Sequence, residues 1–163
     1  MSELTFDQMA NMIGAELGTS SWRPVTQDTV NSFAECTGDT QWIHIDVERA
    51  KKESPFGGPV AHGYLTLSML SAMAMEIGVV PKHTAAALNY GLDKVRFLAP
   101  VPVGARIRLH AKLVSFERKE NGQFLMKAGN TIEIEGTEKP ALIAESLAML
   151  VPTPGATQQG DTP

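Results

Sequence analysis

The sequence predicts an α+β fold, with helices first and then antiparallel strands that curl around one apolar helix. Three observations carry this expectation. Apolar residues recur at helical spacing through the first half of the chain. Residues 62–78 are apolar almost all round, so that helix should be wrapped by other structure. From about Thr84 the pattern switches to alternation, with the hairpin dipeptide Asn121-Gly122 between two alternating runs.

Residues 5–17 open with the N-cap candidate Thr5, carry Met9, Met12 and Ile13 at helical spacing, and stop at Gly18. Residues 21–25, with Trp22 and Pro24, read as a short extended piece. Thr26 is a second N-cap, and Asp28 in the first turn suits the positive end of the helix dipole. Val30, Phe33 and Ala34 continue that helix to Thr37, where Gly38 ends it. A loop is expected over 39–44, then a short polar helix over 47–54, broken by Pro55 and Gly57-Gly58-Pro59. The long helix follows. Strands are expected over 85–92, 94–98, 106–117, 124–135 and 141–151. In the third of these, Ile107, Leu109, Ala111 and Leu113 face one way and Arg106, Arg108, His110 and Lys112 the other. Residues 1–151 read as one domain, and 152–163, rich in Pro, Gly, Thr and Gln, as a disordered tail.

Composition bounds the function. The chain has 163 residues, 43% of them hydrophobic, which supports a core without disulfides or metal. A net charge of -4 speaks against a general nucleic-acid binder, which would carry a basic stripe. The start of the chain has neither the basic nor the apolar region of a signal peptide, and the apolar helix is too short and too polar to span a bilayer. One cysteine cannot form an internal disulfide, so a cytoplasmic setting is expected. Cys36, between Glu35 and Thr37, lacks the cationic neighbours of a nucleophilic thiolate and reads as a small buried filler.

The chemistry concentrates in one stretch. Gly38-Asp39 places a carboxylate five residues before His44, and Gly57-Gly58-Pro59-Val60-Ala61-His62-Gly63 leads into the apolar helix. A carboxylate, an imidazole and a helix N-terminus are the parts needed to move a proton while holding a developing oxyanion. Each has a plainer reading. Gly38-Asp39 can be only a helix stop, and Gly63 only a tight packing point. Ser71 either back-bonds to its own turn or braces a carboxylate. His62 is a hydrogen-bonded structural residue or a ligand contact. Lys94, Arg96, Arg106 and Arg108 form a solvated face or meet ligand phosphates. His44, His62, His83 and His110 lack metal-ligand spacing, so no metal is expected, and no dinucleotide or phosphate-loop fingerprint is present.

Gly38-Asp39 with His44, followed by Pro59-Val60-Ala61-His62-Gly63-Tyr64-Leu65, resembles the hydratase signature of the MaoC-like dehydratases, which include the (R)-specific enoyl-CoA hydratases. The Gln41-Trp42-Ile43-His44 wording, the 54–59 stretch and residues 89–101 resemble the nodulation protein N-like branch. The resemblance covers about residues 25–151. It implies a hot-dog fold, a homodimer with acyl-thioester sites at or near the subunit interface, and no cofactor beyond the acyl-CoA or acyl carrier protein thioester itself. It implies that Asp39 and His44 are the catalytic pair, that the Gly63 N–H polarises the thioester carbonyl, and that Ser71 orients Asp39. Many members have Asn-Pro where this chain has Gln41-Trp42, so Trp42 is expected beside the acyl pocket. The implied reaction is addition of water across the C2–C3 bond of a trans-2-enoyl thioester. Two rivals stand beside it: a hot-dog acyl-CoA thioesterase, and a non-catalytic acyl-binding subunit of a mixed dimer.

Overall fold

A computed structural model describes residues 4–155. Six strands form one antiparallel sheet: β1 (Glu16–Thr19), β2 (Arg23–Pro24), β3 (Thr84–Phe97), β4 (Arg106–Arg118), β5 (Phe124–Ile134) and β6 (Leu142–Pro152). Their order is β1-β4-β5-β6-β3, with β2 also on β4. The alternation seen in the sequence sets the faces. Ile107, Leu109, Ala111 and Leu113 are all buried, and β5 buries every second residue from Phe124 to Ile134. Leu109 pairs with Ile132 across the β4–β5 ladder, and the hairpin turns at Gly122, whose φ of 78° favours glycine.

The long helix (Gly63–Ile77) packs against the apolar face of this sheet. Leu65, Leu70 and Met73 enter one core with Ile107, Leu109, Leu113, Met126 and Ile132. This is the hot-dog arrangement. Met73 is fully buried, and burial of a side chain of that size contributes about 1.5–3 kcal/mol. One face of the helix stays bare, however: Tyr64 is 69% exposed and Met75 80%. The expectation of a helix wrapped on all sides therefore holds for one chain on one side only. β3 is the sheet edge, and Leu88, Tyr90 and Leu92 along it are exposed too.

Four helices precede the long one: α1 (Phe6–Ala10), α2 (Gln27–Thr37), α3 (Trp42–Ile45) and α4 (Val47–Glu53), which makes the long helix α5. Capping follows the sequence signals. Thr5 caps α1 in a capping box, Thr26 caps α2, and Gly38 ends α2 at φ 79°.

Five expectations are corrected. The first helix stops at Ala10, because Gly14 turns the chain and donates to the Leu113 carbonyl at 2.8 Å, so Leu17 joins a strand on β4. The loop expected over 39–44 contains a helical turn, closed by bonds from His44 N to Gln41 O and Asp46 N to Trp42 O. The two strands expected over 85–98 are one strand, β3, interrupted near Lys94 by a register shift and a φ of 50°. Cys36 is exposed, not buried, since it lies on the outer side of α2. Pro152, expected in the tail, ends β6, and Thr153 N still bonds the His83 carbonyl at 2.7 Å. The rest of the expected tail, 156–163, lies outside the described residues.

Candidate active site

Three segments build the site. The end of α2 delivers Asp39, the turn α3 delivers His44, and the extended run before α5 delivers His62 and Gly63. The extended run is laced on both sides. Val60 N bonds the Ile43 carbonyl at 3.1 Å, Ala61 N bonds Val101 O at 2.8 Å, and Val103 N bonds Pro59 O at 3.0 Å. From α2, the Gln27 side chain donates to the His44 carbonyl at 2.8 Å and fixes α3 from behind.

His44 is buried, with 7% of its surface exposed. Its Nδ1 lies 2.6 Å from the Val60 carbonyl. A carbonyl only accepts, so Nδ1 carries the proton and Nε2 keeps a free lone pair. Burial pushes the His44 imidazole below its ordinary range; the Val60 hydrogen bond opposes this, the neighbouring His62 adds to it, and Asp39 opposes it. His44 is therefore neutral near pH 7, in the state that can take a proton. Asp39 is exposed, and among the described residues its carboxylate has no hydrogen-bond partner. Asp39 N donates to Thr37 Oγ1 at 3.4 Å, which orients the loop after the helix stop.

One donor atom from each of Asp39, His44 and His62 lies within 4.8 Å of the others. That spacing is short enough for one water to bridge carboxylate and imidazole. It is also tight enough for a cation, a proximity that sequence spacing did not foreshadow. Two of the four imidazole nitrogens are already committed, His44 Nδ1 to the Val60 carbonyl and His62 Nε2 to the Asp39 carbonyl, and the two rings stack with centroids 3.8 Å apart.

Two clefts flank the helix. A smaller one of about 280 Å³ is apolar and includes Ile43, Val60, Gly63, Thr66, Phe97 and Val101 in its lining. It borders both the His44 turn and the α5 N-terminus, where the first N–H groups have no intrahelical partner. A larger one of about 720 Å³ lies between α5, β3 and β6 and contains Ser71, Ser146 and Asn130, but none of Asp39, His44 or Gly63. The smaller cleft contains Gly63 but neither Asp39 nor His44, which adjoin it through Ile43 and Val60.

The residues singled out in the sequence thus divide. Asp39, His44 and His62 come together, with Gly63 next in the chain. Ser71 is exposed on the larger cleft and makes no hydrogen bond to Asp39 within the chain among the described residues. His62, a candidate substrate contact, is 2% exposed, so its imidazole is sealed beneath His44. Trp42 lines neither cleft, and Arg49 covers one face of its ring at 4.3 Å. Arg96 is exposed and donates to the Val95 carbonyl, whereas Lys94, Arg106 and Arg108 are paired with Glu145, Glu135 and Glu133. The Val60 carbonyl, Gln27 and Phe33, whose ring lies 5.0 Å from His62, were not foreseen. A main-chain acceptor leaves no mark in a sequence, and Gln27 and Phe33 looked like ordinary positions on α2.

The MaoC like domain family matches residues 8–135, and the chain belongs to that family. It is 45% identical over 150 residues to the 3-hydroxyacyl-thioester dehydratase Z of Mycobacterium tuberculosis, covering 90% of this chain and 98% of that protein. It is 42% identical to the nodulation protein N of Rhizobium meliloti, covering 91% of this chain and 92% of that one. Among solved structures, a monoamine oxidase regulatory protein from Archaeoglobus superposes with a TM-score of 0.76 at 29% identity, over 93% of this chain and 96% of that one. An (R)-hydratase from A. caviae shares the fold at TM-score 0.67 and 19% identity, over 83% of this chain and 94% of that one. Among the described residues no helix is long and apolar enough to cross a membrane.

Proposed function

We propose that this chain is an (R)-specific enoyl-thioester hydratase/dehydratase. The observation that carries the reading is the convergence of Asp39 and His44, with His44 Nδ1 committed to a carbonyl and Nε2 left as a base. Water held by the pair attacks C3 of a trans-2-enoyl thioester. One of the pair accepts the water proton, and a proton returns to C2, giving a 3-hydroxyacyl thioester. Charge that develops on the thioester oxygen meets the N–H of Gly63 at the start of α5. The neighbouring apolar cleft supports an acyl substrate. The thioester dehydratase relative supports the substrate class, with acyl-CoA or acyl carrier protein as the carrier. No other cofactor enters the reaction. A cytoplasmic setting accords with the single unpaired Cys36.

The working unit in this reading is a homodimer. The bare stripe of α5 and the exposed apolar residues of β3 are the surfaces a second copy would cover. Ser71 as the support of Asp39 then requires that assembly, since one chain does not join them.

Asp39→Asn and His44→Ala test the pair. Each should lower kcat/KM for crotonyl-CoA by about 10²–10⁴-fold, the usual contribution of positioned acid–base groups. Full activity in both variants would overturn the assignment.

A further inference from the structure

The mechanism above uses His44 and Asp39 and leaves a second buried imidazole unexplained. His62 is 2% exposed and lies directly under the site. Its Nε2 is 2.9 Å from the Asp39 carbonyl, so Nε2 carries the proton and donates. Its Nδ1 is buried with no hydrogen-bond partner. Its ring stacks on His44 at 3.8 Å and meets Phe33 at 5.0 Å on α2. One side chain thus touches both members of the pair, one through the main chain and one through the ring face. An orphaned polar atom at a buried position is uncommon, and a purely apolar ring would fill the same space without it. The polar edge is explained by the bond to Asp39.

We propose that His62 is the positioning residue of this site: its Nε2–H fixes the Asp39 main chain just past the α2 stop, and its ring face holds the His44 imidazole on its Val60 anchor. This rests on the hydratase reading for its activity measurements but not for its geometry. The role differs from that of a substrate contact, because the imidazole has almost no surface to offer. The charged and titratable groups facing His44 are His62 from the run before α5 and Asp39 from the loop after α2. Replacing His62 therefore changes the environment of His44 as well as its orientation.

Two substitutions separate the two contacts. His62→Phe keeps a ring against His44 and removes the donor; His62→Gln keeps an amide N–H near the Nε2 position and removes the ring. With crotonyl-CoA, His62→Phe should lower kcat by about 10–100-fold, the scale set by small misplacements of reacting groups, with KM changed by about threefold or less. His62→Gln should recover about tenfold of that loss. In both, the acid limb of the rate profile should move to higher pH, because His44 loses a neighbour that opposes its protonation. A large rise in KM with kcat unchanged would make His62 a substrate contact and overturn the proposal. Unchanged kcat per folded molecule with only a lower unfolding temperature would make it a packing residue and also overturn it. A third measurement does not depend on the variants folding. In ¹⁵N spectra of the wild-type protein near neutral pH, His62 should show the proton on Nε2 and His44 on Nδ1; the opposite tautomer at His62 contradicts the proposal. Should the wild type hydrate no enoyl thioester at all, the hydratase reading falls, and the spectra alone decide the positioning geometry.

Discussion

His44 has one ring nitrogen committed to a main-chain carbonyl and one left over, and burial decides what the second can do. Because the folded imidazole sits below its ordinary range, it stays unprotonated until the pH falls past that lowered value. The acid limb of kcat/KM should therefore lie below about 6.5, the unperturbed imidazole value, and move toward it in His62 variants; a pH–rate profile checks this. The sign for stability agrees. The unfolded imidazole takes its proton first as pH falls, so this group costs the native state stability on acidification through and below 6.5. Gly63 gives a second residue-scale test. A Cβ there would meet the Phe97 ring at 3.1 Å. Phe97 is about half exposed and can yield, so Gly63→Ala should cost about 1 kcal/mol, at the low end for overpacking. Adding Phe97→Leu should recover most of it in thermal unfolding. At this scale the sequence was legible where side chains carry the role. Asp39, His44 and His62 stood out in the sequence, and the fold brings the three together. The Val60 carbonyl and the stack of two imidazoles did not stand out, since neither leaves a compositional trace.

The elements show the same division between local signal and distant partner. α2 and α5 begin and end where caps and glycines predict, because those signals act within a few residues. α1 ends early because a competing strand, β1, is drawn onto β4, and that partner lies far away in sequence. At the end of α5 a distant contact adds to the local Gly78 stop. Glu76 in its last turn opposes the helix dipole, yet hydrogen bonds from Ser21 and then Arg23 hold its carboxyl at about 2. With the folded value depressed, the tie stabilises the protein above the ordinary carboxylate range and is lost as pH falls from about 4.5 toward 2. Glu76→Gln should thus lower the unfolding temperature at pH 7, and the two proteins should converge near pH 2. In the sheet, Leu109 is fully buried against α5. Leu109→Ala should cost about 2–5 kcal/mol in denaturant unfolding, whereas truncating its exposed neighbour Arg106 should cost far less.

At the scale of the whole molecule, the antiparallel sheet around one apolar helix was readable from periodicity alone, since period 3.6 and period 2 separate cleanly along this chain. What it did not convey is how much apolar surface one copy leaves open. Tyr64, Met75, Leu88 and Tyr90 would be unusual on a lone surface. Light scattering should give twice the 17.6 kDa chain mass, and Leu88→Lys with Tyr90→Lys should shift it toward the monomer and lower hydration together; an active monomer would refute the homodimer. In the proposed reaction water is aimed at C3 and not at the thioester carbonyl. This is tested most directly by following one trans-2-enoyl-CoA through the wild-type enzyme, with product chirality and free thiol measured on the same sample. The expected result is (R)-3-hydroxyacyl-CoA with the thioester intact. Release of free CoA in step with substrate loss, or an (S) product, would contradict it.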